Sequence, residues 1–138
     1  MKYELERYTP EEWRDISVEV HRLIFSENRN PDLDRIDYAV IVGCDNEALG
    51  YVTCREFDSK TVYWQYGGVV PNFRGMPRAV GGFDELVRYA RGQNYERIMT
   101  YVENVNVGYM KLLLSRGFLI IGTRLFKGGV FVEFVKEF

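Results

Sequence analysis

The stretch that decides the fold is Val69-Val70-Pro71-Asn72-Phe73-Arg74-Gly75-Met76-Pro77-Arg78-Ala79-Val80-Gly81-Gly82. It follows an apolar, aromatic run typical of a β-strand (residues 61–68) and precedes an amphipathic run typical of a helix (residues 78–91). A short connection of this kind exposes backbone N–H groups at the start of the helix, which suit an anionic ligand such as a pyrophosphate. On these residues alone, an ordinary strand-to-helix connection is an equally good interpretation.

Length, composition and charge limit the classes of function. The 138 residues suit a single domain spanning residues 1–138, and 46% hydrophobic with 28% charged residues is typical of a globular protein. A net charge of −2 argues against nucleic acid as a partner. We find no apolar run long enough to cross a bilayer and no signal-peptide core at the charged start, so we expect a cytoplasmic protein with no membrane partner.

Cysteine and histidine usage indicates no metal site. Cys44 and Cys54 are the only cysteines, and we expect them to be reduced core residues. The single histidine, His21, excludes a multi-histidine metal site, and it lies in a predicted helix where we expect a structural role.

Hydrophobic periodicity predicts a chain of alternating strands and helices, with Thr9, Pro10 and Glu12 forming an N-terminal capping box for the first helix. A short helical turn is predicted over residues 33–37. The predicted helices begin at residues 10, 77 and 105, and the last two end at residues 91 and 115. The predicted strands cover residues 2–7, 38–44, 49–57, 61–70, 95–103, 118–126 and 130–135.

Connection lengths predict how these strands pair. A helix joins the strand at 61–70 to the strand at 95–103, so these two are expected to be parallel in an otherwise antiparallel sheet. The predicted fold class is therefore α/β (α+β): a mixed, mostly antiparallel sheet of six to seven strands, flanked by three to four helices. Ligands tend to bind at the carboxyl end of such a parallel strand, where residues 69–82 lie.

Two motifs in this order resemble those of the GNAT superfamily of acyl-CoA-dependent N-acyltransferases. Residues 69–75 are similar to the family's V-x-P-x-x-R-G approach, and residues 74–79 to its pyrophosphate loop, Arg/Gln-x-x-Gly-x-Gly/Ala, with Pro77 replacing the middle glycine. Residues 106–118 are similar to its N-x-x-A-x-x-x-Y-x-x-x-G-F helix and turn. In that second motif Tyr109 stands at the alanine position and Leu113 at the tyrosine position.

By this resemblance the protein has the GNAT fold, in which the parallel central strands splay into a V, and it binds acetyl-CoA as a cosubstrate, with no metal. Val69 and Val70 would offer backbone groups to the acyl carbonyl and the pantetheine, while Arg74 would add a charge-assisted bond to the pyrophosphate, as would Arg78. Asn106 would contact the pantetheine or hold its flanking helix. The loop N–H groups that would face the pyrophosphate belong to Gly75, Met76, Arg78, Ala79 and Val80.

The implied reaction is acetyl transfer to an amine that attacks the thioester directly. Leu113 has no proton for the leaving thiolate, so Tyr109 either donates it or simply packs in the core. The family's glutamate base is missing from the fourth strand, and Glu103 either replaces it or lies solvated at a strand end. Three further tyrosines either form a water relay or are ordinary sheet aromatics: Tyr63, Tyr66 and Tyr101.

Pro77 and Leu113 leave open a second class of function, a GNAT-fold binding module with weak or no catalysis. A third is acyl transfer to a nucleic-acid amine, which would need a basic patch. The candidates for that patch are Arg29, Arg35 and Arg55.

The resemblance implies that residues 18–37 and 124–130 determine which acceptor amine is bound. Acidic side chains there either suit a cationic amine or are simply solvated. They are Glu19, Glu27, Asp32, Asp34 and Asp37. The resemblance also allows a homodimer formed through sheet edges or the last strands.

Overall fold

The structure is a computed structural model that describes residues 2–25, 36–126 and 128–138. Among these residues the elements are β1 (Tyr3–Tyr8), α1 (Pro10–Phe25), β2 (Tyr38–Cys44), β3 (Glu47–Glu56), β4 (Thr61–Val69), a 3-10 turn (Pro71–Phe73), α2 (Pro77–Gly92), β5 (Arg97–Glu103), α3 (Val107–Ser115), β6 (Leu119–Phe126) and β7 (Gly129–Glu137). The described strands form one sheet in the order β1-β2-β3-β4-β5-β7-β6, in which β4 and β5 run parallel and the other neighbours antiparallel, so the predicted fold class is confirmed. The predicted turn over residues 33–37 lies largely outside the described residues.

The chain divides into two compact units. The first comprises Met1–Arg55 and Gln65–Arg88, and the second comprises Glu56–Trp64 and Tyr89–Phe138. The single domain over residues 1–138 stays a prediction. Within the described ranges, no helix is both long and apolar enough to cross a bilayer.

Helix α1 of the first unit begins as its sequence predicts. The Thr9 N–H donates to Glu12 Oε1 at 3.0 Å, and the Glu12 N–H donates to Thr9 Oγ1 at 3.2 Å, which completes the capping box. These bonds hold the pKa of the Glu12 carboxyl below its usual value. One face of the helix packs into a core that contains the fully buried Trp13 together with Ile24 and Tyr51.

The β2–β3 hairpin turns at Asp45 and Asn46, both with positive φ (52° and 68°), as a two-residue hairpin turn requires. Both cysteines of this hairpin are free and buried, as predicted. Burial raises the pKa of the Cys54 thiol to about 12.

Two glycines let α2 approach the sheet of the first unit closely. The Tyr3 hydroxyl of β1 donates to Arg78 O in the first turn of α2 at 3.1 Å. A Cβ at Gly81 would collide with this hydroxyl, and a Cβ at Gly82 would lie 3.2 Å from a Leu49 methyl group. A glycine inside a helix lowers stability by about 1 kcal/mol relative to alanine. At these two positions the absence of a side chain is what allows α2 to contact the sheet.

The second unit is built on the parallel β4–β5 ladder. The ladder pairs Thr61–Trp64 with Arg97–Thr100, and Thr100 Oγ1 donates to Trp64 O at 3.0 Å. Strand β7 lies antiparallel to β5 on its other side, and β6 follows at the edge. The core of this unit includes Ile98, Leu113, Phe118 and Phe134, each no more than 1% exposed.

We predict that Gly81→Ala lowers the free energy of unfolding by about 1–3 kcal/mol, because the new methyl group displaces the Tyr3 hydroxyl from Arg78 O. Thermal and urea unfolding measure the change. Gly92→Ala is the matched control on the same helix, since nothing lies within 4 Å of a Cβ there. Equal stability of the two variants would show that α2 does not need this close contact.

Candidate functional site

The candidate site in the first unit is the connection from β4 to α2. After Val69 the chain is held by the Val70 N–H, which donates to Leu49 O at 2.7 Å, and then forms the short 3-10 turn. Gly75 has a φ of 76°, a conformation that favours glycine. Pro77 is the first residue of α2, a position where the missing proline N–H breaks no helical hydrogen bond.

The loop N–H groups divide into bonded and unbonded ones. The Met76 N–H donates to Phe73 O, and the N–H groups of Ala79 and Val80 donate to Met76 O, all at 3.0–3.2 Å. Among the residues that the structure describes, no hydrogen bond is donated by the N–H of Gly75 or Arg78. Two of the five N–H groups predicted to face a pyrophosphate are therefore available to an anion.

Space is also available at this point of the loop. A Cβ built at Gly75 meets no atom within 4 Å, and the neighbouring Met76 side chain is exposed. The Gly75 and Arg78 N–H groups lie at a helix N-terminus, where the helix dipole favours negative charge. These residues fit an anionic group such as the pyrophosphate of coenzyme A.

The Arg74 side chain binds the protein's own backbone. Its Nε donates to Val69 O at 3.0 Å, and its Nη2 donates to Ile24 O, in the last turn of α1, at 2.8 Å. The sequence predicted a bond from this guanidinium to the pyrophosphate and did not predict that it anchors the loop. A direct bond from Arg74 to a pyrophosphate stays a prediction.

The Arg78 guanidinium is held more loosely. It lies 4.0 Å from Asp45 Oδ2 and 5.8 Å from the centre of the Phe73 ring, and about a third of the side chain is exposed. An ion pair at that distance and exposure is weak. This arginine therefore remains free to turn toward an anion at the start of α2.

In the second unit, Asn106 is the N-cap of α3. Its Oδ1 accepts a bond from the Tyr109 N–H at 3.3 Å, and its own N–H donates to Glu103 O at 2.9 Å. The cap explains why α3 begins at Val107, two residues later than predicted. The structure thus shows Asn106 holding its helix, whereas a contact with pantetheine stays a prediction.

The candidate catalytic residues of the second unit differ in environment. Tyr109 is half-buried, and burial raises the pKa of its phenol above the usual value. Glu103 is exposed at the end of β5, opposite Phe131 of β7. Leu113 is fully buried, so the position where the family pattern has tyrosine serves packing here.

The three relay tyrosines lie in unlike places. The rings of Tyr63 and Tyr101 meet edge to face at 5.2 Å, and the Arg124 guanidinium lies over the Tyr101 ring. Tyr66, in the first unit, is exposed. The Tyr63–Tyr101 pair is an aromatic contact of the sheet, and a proton-relay role for any of the three stays a prediction.

Two buried polar atoms near the end of β4 were not predicted from the sequence. Tyr51 and Trp13 belong to the same core cluster as Val70, with ring centroids 5.0 Å apart. Among the described residues, the Tyr51 hydroxyl and the Trp13 indole N–H have no hydrogen-bond partner. Their aromatic character predicted only burial, and no sequence signal predicted an unpaired polar atom.

Comparison with known proteins is consistent with this geometry. Residues 1–118 match the sequence model of a family described as the acetyltransferase (GNAT) family. The chain belongs to this family. A comparison with curated proteins finds no relative of matching sequence.

Solved structures of GNAT proteins share the fold along almost the whole chain. An IAA acetyltransferase from Bacillus cereus has a TM-score of 0.74 at 15% identity, covering 99% of this chain and 100% of that one. A GNAT family acetyltransferase from Elizabethkingia anophelis with acetyl-CoA bound has a TM-score of 0.74 at 14% identity, covering 99% and 98%. The ribosomal-protein-S18-alanine N-acetyltransferase from Escherichia coli has a TM-score of 0.75 at 7% identity, covering 99% and 94%.

We predict that Tyr51→Phe raises the free energy of unfolding by about 1 kcal/mol, because it removes a buried hydroxyl that has no partner among the described residues. Chemical denaturation measures the change. Tyr95→Phe is the matched control: its buried hydroxyl donates to Glu56 Oε1 at 2.7 Å, so its loss should destabilise the chain. A Tyr51→Phe variant less stable than the native chain would contradict the prediction.

Proposed function

We propose that this GNAT chain transfers an acyl group, acetyl in the simplest case, from coenzyme A to an amine. The observation that carries the proposal is the pair of N–H groups at the start of α2, on Gly75 and Arg78, that donate no hydrogen bond within the described part of the chain. Family membership supports the reaction class. Acetyl-CoA bound in the structural neighbour from Elizabethkingia anophelis supports the ligand.

In this proposal the N–H groups of Gly75 and Arg78 bind the pyrophosphate, and the Arg78 guanidinium adds a charge-assisted bond. Arg74 acts by holding the loop. Pro77 costs the site little, because it occupies the first position of α2. The position of Pro77 therefore weighs against the alternative function, a GNAT-fold binding module with weak or no catalysis. Leu113, which cannot donate a proton, still favours that alternative.

The acyl transfer itself is a direct attack. The acceptor nitrogen forms a bond to the thioester carbonyl carbon, the carbon–sulfur bond breaks, and the nitrogen loses a proton to water or to a base such as Glu103. We propose that the Tyr109 hydroxyl, one helical turn before the position where the family pattern has tyrosine, protonates the leaving thiolate, because a phenol carries its proton at neutral pH. Positioning of the two reactants supplies much of the remaining acceleration.

We predict that acetyl-CoA binds the purified protein with a micromolar dissociation constant in calorimetry. Arg78→Glu should weaken binding at least tenfold, or about 1.4 kcal/mol, because it places a negative charge beside the pyrophosphate. Arg88→Glu is the matched control on α2, where Arg88 is exposed and pairs only with the neighbouring Glu85 among the described residues. A folded protein that gives no binding heat would refute the acyltransferase proposal.

We predict that Tyr109→Phe lowers kcat about 100-fold while the KM for acetyl-CoA stays nearly unchanged, because proton donation acts only as the thiolate leaves. An assay of released thiol, run with an accepted amine, measures both constants. If kcat is unchanged and only thermal stability moves, Tyr109 is a packing residue. Glu103→Gln, assayed alongside, tests the base in the same way.

A further inference from the structure

The sheet of the second unit has a core face and an aromatic face. On β5, Thr100 and Val102 are buried, whereas Tyr101 is half-buried and Glu103 is exposed. Because successive residues of a strand point to opposite faces, Tyr101 and Glu103 lie on the face opposite the core. Phe134 of β7 is fully buried and pairs with Thr100, so the core face continues on that strand.

Strand pairing brings further side chains to the aromatic face. Tyr101 pairs with Glu133 of β7, and Glu103 pairs with Phe131. On β6, Arg124 pairs with Phe131 from the other side. Directly opposite residues of paired strands share a face, so all five side chains lie on the aromatic face. Arg124, Phe131 and Glu103 thus form one row across three strands, with the phenyl ring in the middle.

One end of this row is a guanidinium held on an aromatic ring. The Arg124 guanidinium lies 4.5 Å from the centre of the Tyr101 ring, and Arg124 Nε lies 3.8 Å from Glu133 Oε1. The Arg124 side chain is 52% exposed, whereas that of Glu133 is 21% exposed. A guanidinium has five N–H donors in a planar fork, so this half-exposed group can bind a carboxylate while it keeps both contacts.

The other end of the row is a carboxylate beside an aromatic ring. A Cβ built at Gly129 would lie 3.3 Å from the Phe131 ring and 3.9 Å from Glu103 Oε1, so the ring and the carboxylate border the same small space. The Phe126 ring meets the Phe131 ring edge to face, with 6.3 Å between their centres. A positive and a negative group therefore lie at the two ends of an apolar, aromatic floor.

The gap between the two charged ends is short. Arg124 reaches across β7 to the Tyr101 ring on β5, and Glu103 is two residues further along that strand. Two residues of a strand span about 6.5 Å. A gap of that order suits a ligand whose two charged groups are attached to one carbon atom, and it is too short for charges at the ends of a long chain.

We propose that this row binds the acceptor of the proposed acetyl transfer, and that the acceptor is an α-amino acid with an apolar or aromatic side chain. Its carboxylate binds Arg124, its ammonium group lies toward Glu103, and its side chain packs on the Phe131 ring. A simple amine leaves Arg124 without an anion, and a simple carboxylic acid leaves Glu103 without a cation. Only a zwitterion matches both charges.

This inference rests on the proposed function, in which Glu103 is a base for the attacking nitrogen. The ammonium group gives one proton to Glu103, and the neutral nitrogen then bonds to the thioester carbonyl carbon as the carbon–sulfur bond breaks. The nitrogen loses a second proton, which balances the proton taken up by the thiolate. The products are an N-acetyl amino acid, coenzyme A thiol and one proton released to water.

The first experiment measures the binding of three probes to the purified chain by calorimetry. L-Phenylalanine carries both charges, 2-phenylethylamine lacks the carboxylate, and 3-phenylpropanoate lacks the amine. We expect L-phenylalanine to bind with a dissociation constant below about 1 mM and each analogue to bind at least tenfold more weakly. Equal binding of the three probes, or no binding of L-phenylalanine, overturns the proposal.

The second experiment assigns the carboxylate to its partner. Arg124→Gln should weaken the binding of L-phenylalanine at least tenfold and should not weaken that of 2-phenylethylamine, because only the first probe has a carboxylate. Lys111→Gln is the matched control, since it removes the same charge from an exposed position on α3 of the same unit. A loss of equal size for both probes shows that Arg124 acts only through the fold, and overturns the proposal.

Turnover separates this inference from the proposed function. With acetyl-CoA, kcat/KM for L-phenylalanine should exceed that for 2-phenylethylamine at least tenfold, and Arg124→Gln should remove the difference. Acetylation of amines without this preference overturns the inference and leaves the proposed function standing. If L-phenylalanine binds through Arg124 but no amine is acetylated, the proposed function is refuted and the amino-acid site stands.

Discussion

The Arg74 guanidinium joins two backbone carbonyls that are far apart in sequence, those of Val69 and Ile24. A loop between a strand and a helix has few hydrogen bonds of its own, and hydrogen bonds to a charged group are worth about 1.5–3 kcal/mol. This side chain therefore fixes where β4 ends relative to α1. The unbonded N–H groups of the loop have a defined position because of it.

The other end of the loop is fixed by close packing. Tyr3 of β1 reaches the first turn of α2 only because Gly81 has no side chain, and Gly82 allows the helix to lie against the sheet. A charged anchor at Arg74 and a close contact at Gly81 thus hold the two sides of one short connection. Both lie within the first unit.

The sequence predicted the elements of this fold well because their signals are local. The capping box at Thr9, the hairpin at Asp45 and the helical crossover after β4 each follow from neighbouring residues. Predicted boundaries shifted by one or two residues at most strand and helix ends, as at α3, where the Asn106 cap sets the start. Side-chain partners proved harder to predict, since the bond from Arg74 to Ile24 O spans 50 residues and leaves no periodic signal. Nor does the sequence predict that the Tyr51 hydroxyl has no partner among the described residues, because its surroundings in the core come from distant parts of the chain.

Pro77 has a consequence for the entropy of the connection. Proline fixes one backbone dihedral, which lowers the conformational entropy of the unfolded chain and stabilises the fold by about 0.4–1 kcal/mol at a compatible position. A glycine at this position, as in the family pattern, would supply one more donor and a more variable chain. With proline there instead, the chain has less conformational freedom to lose if the proposed anion binds at this loop.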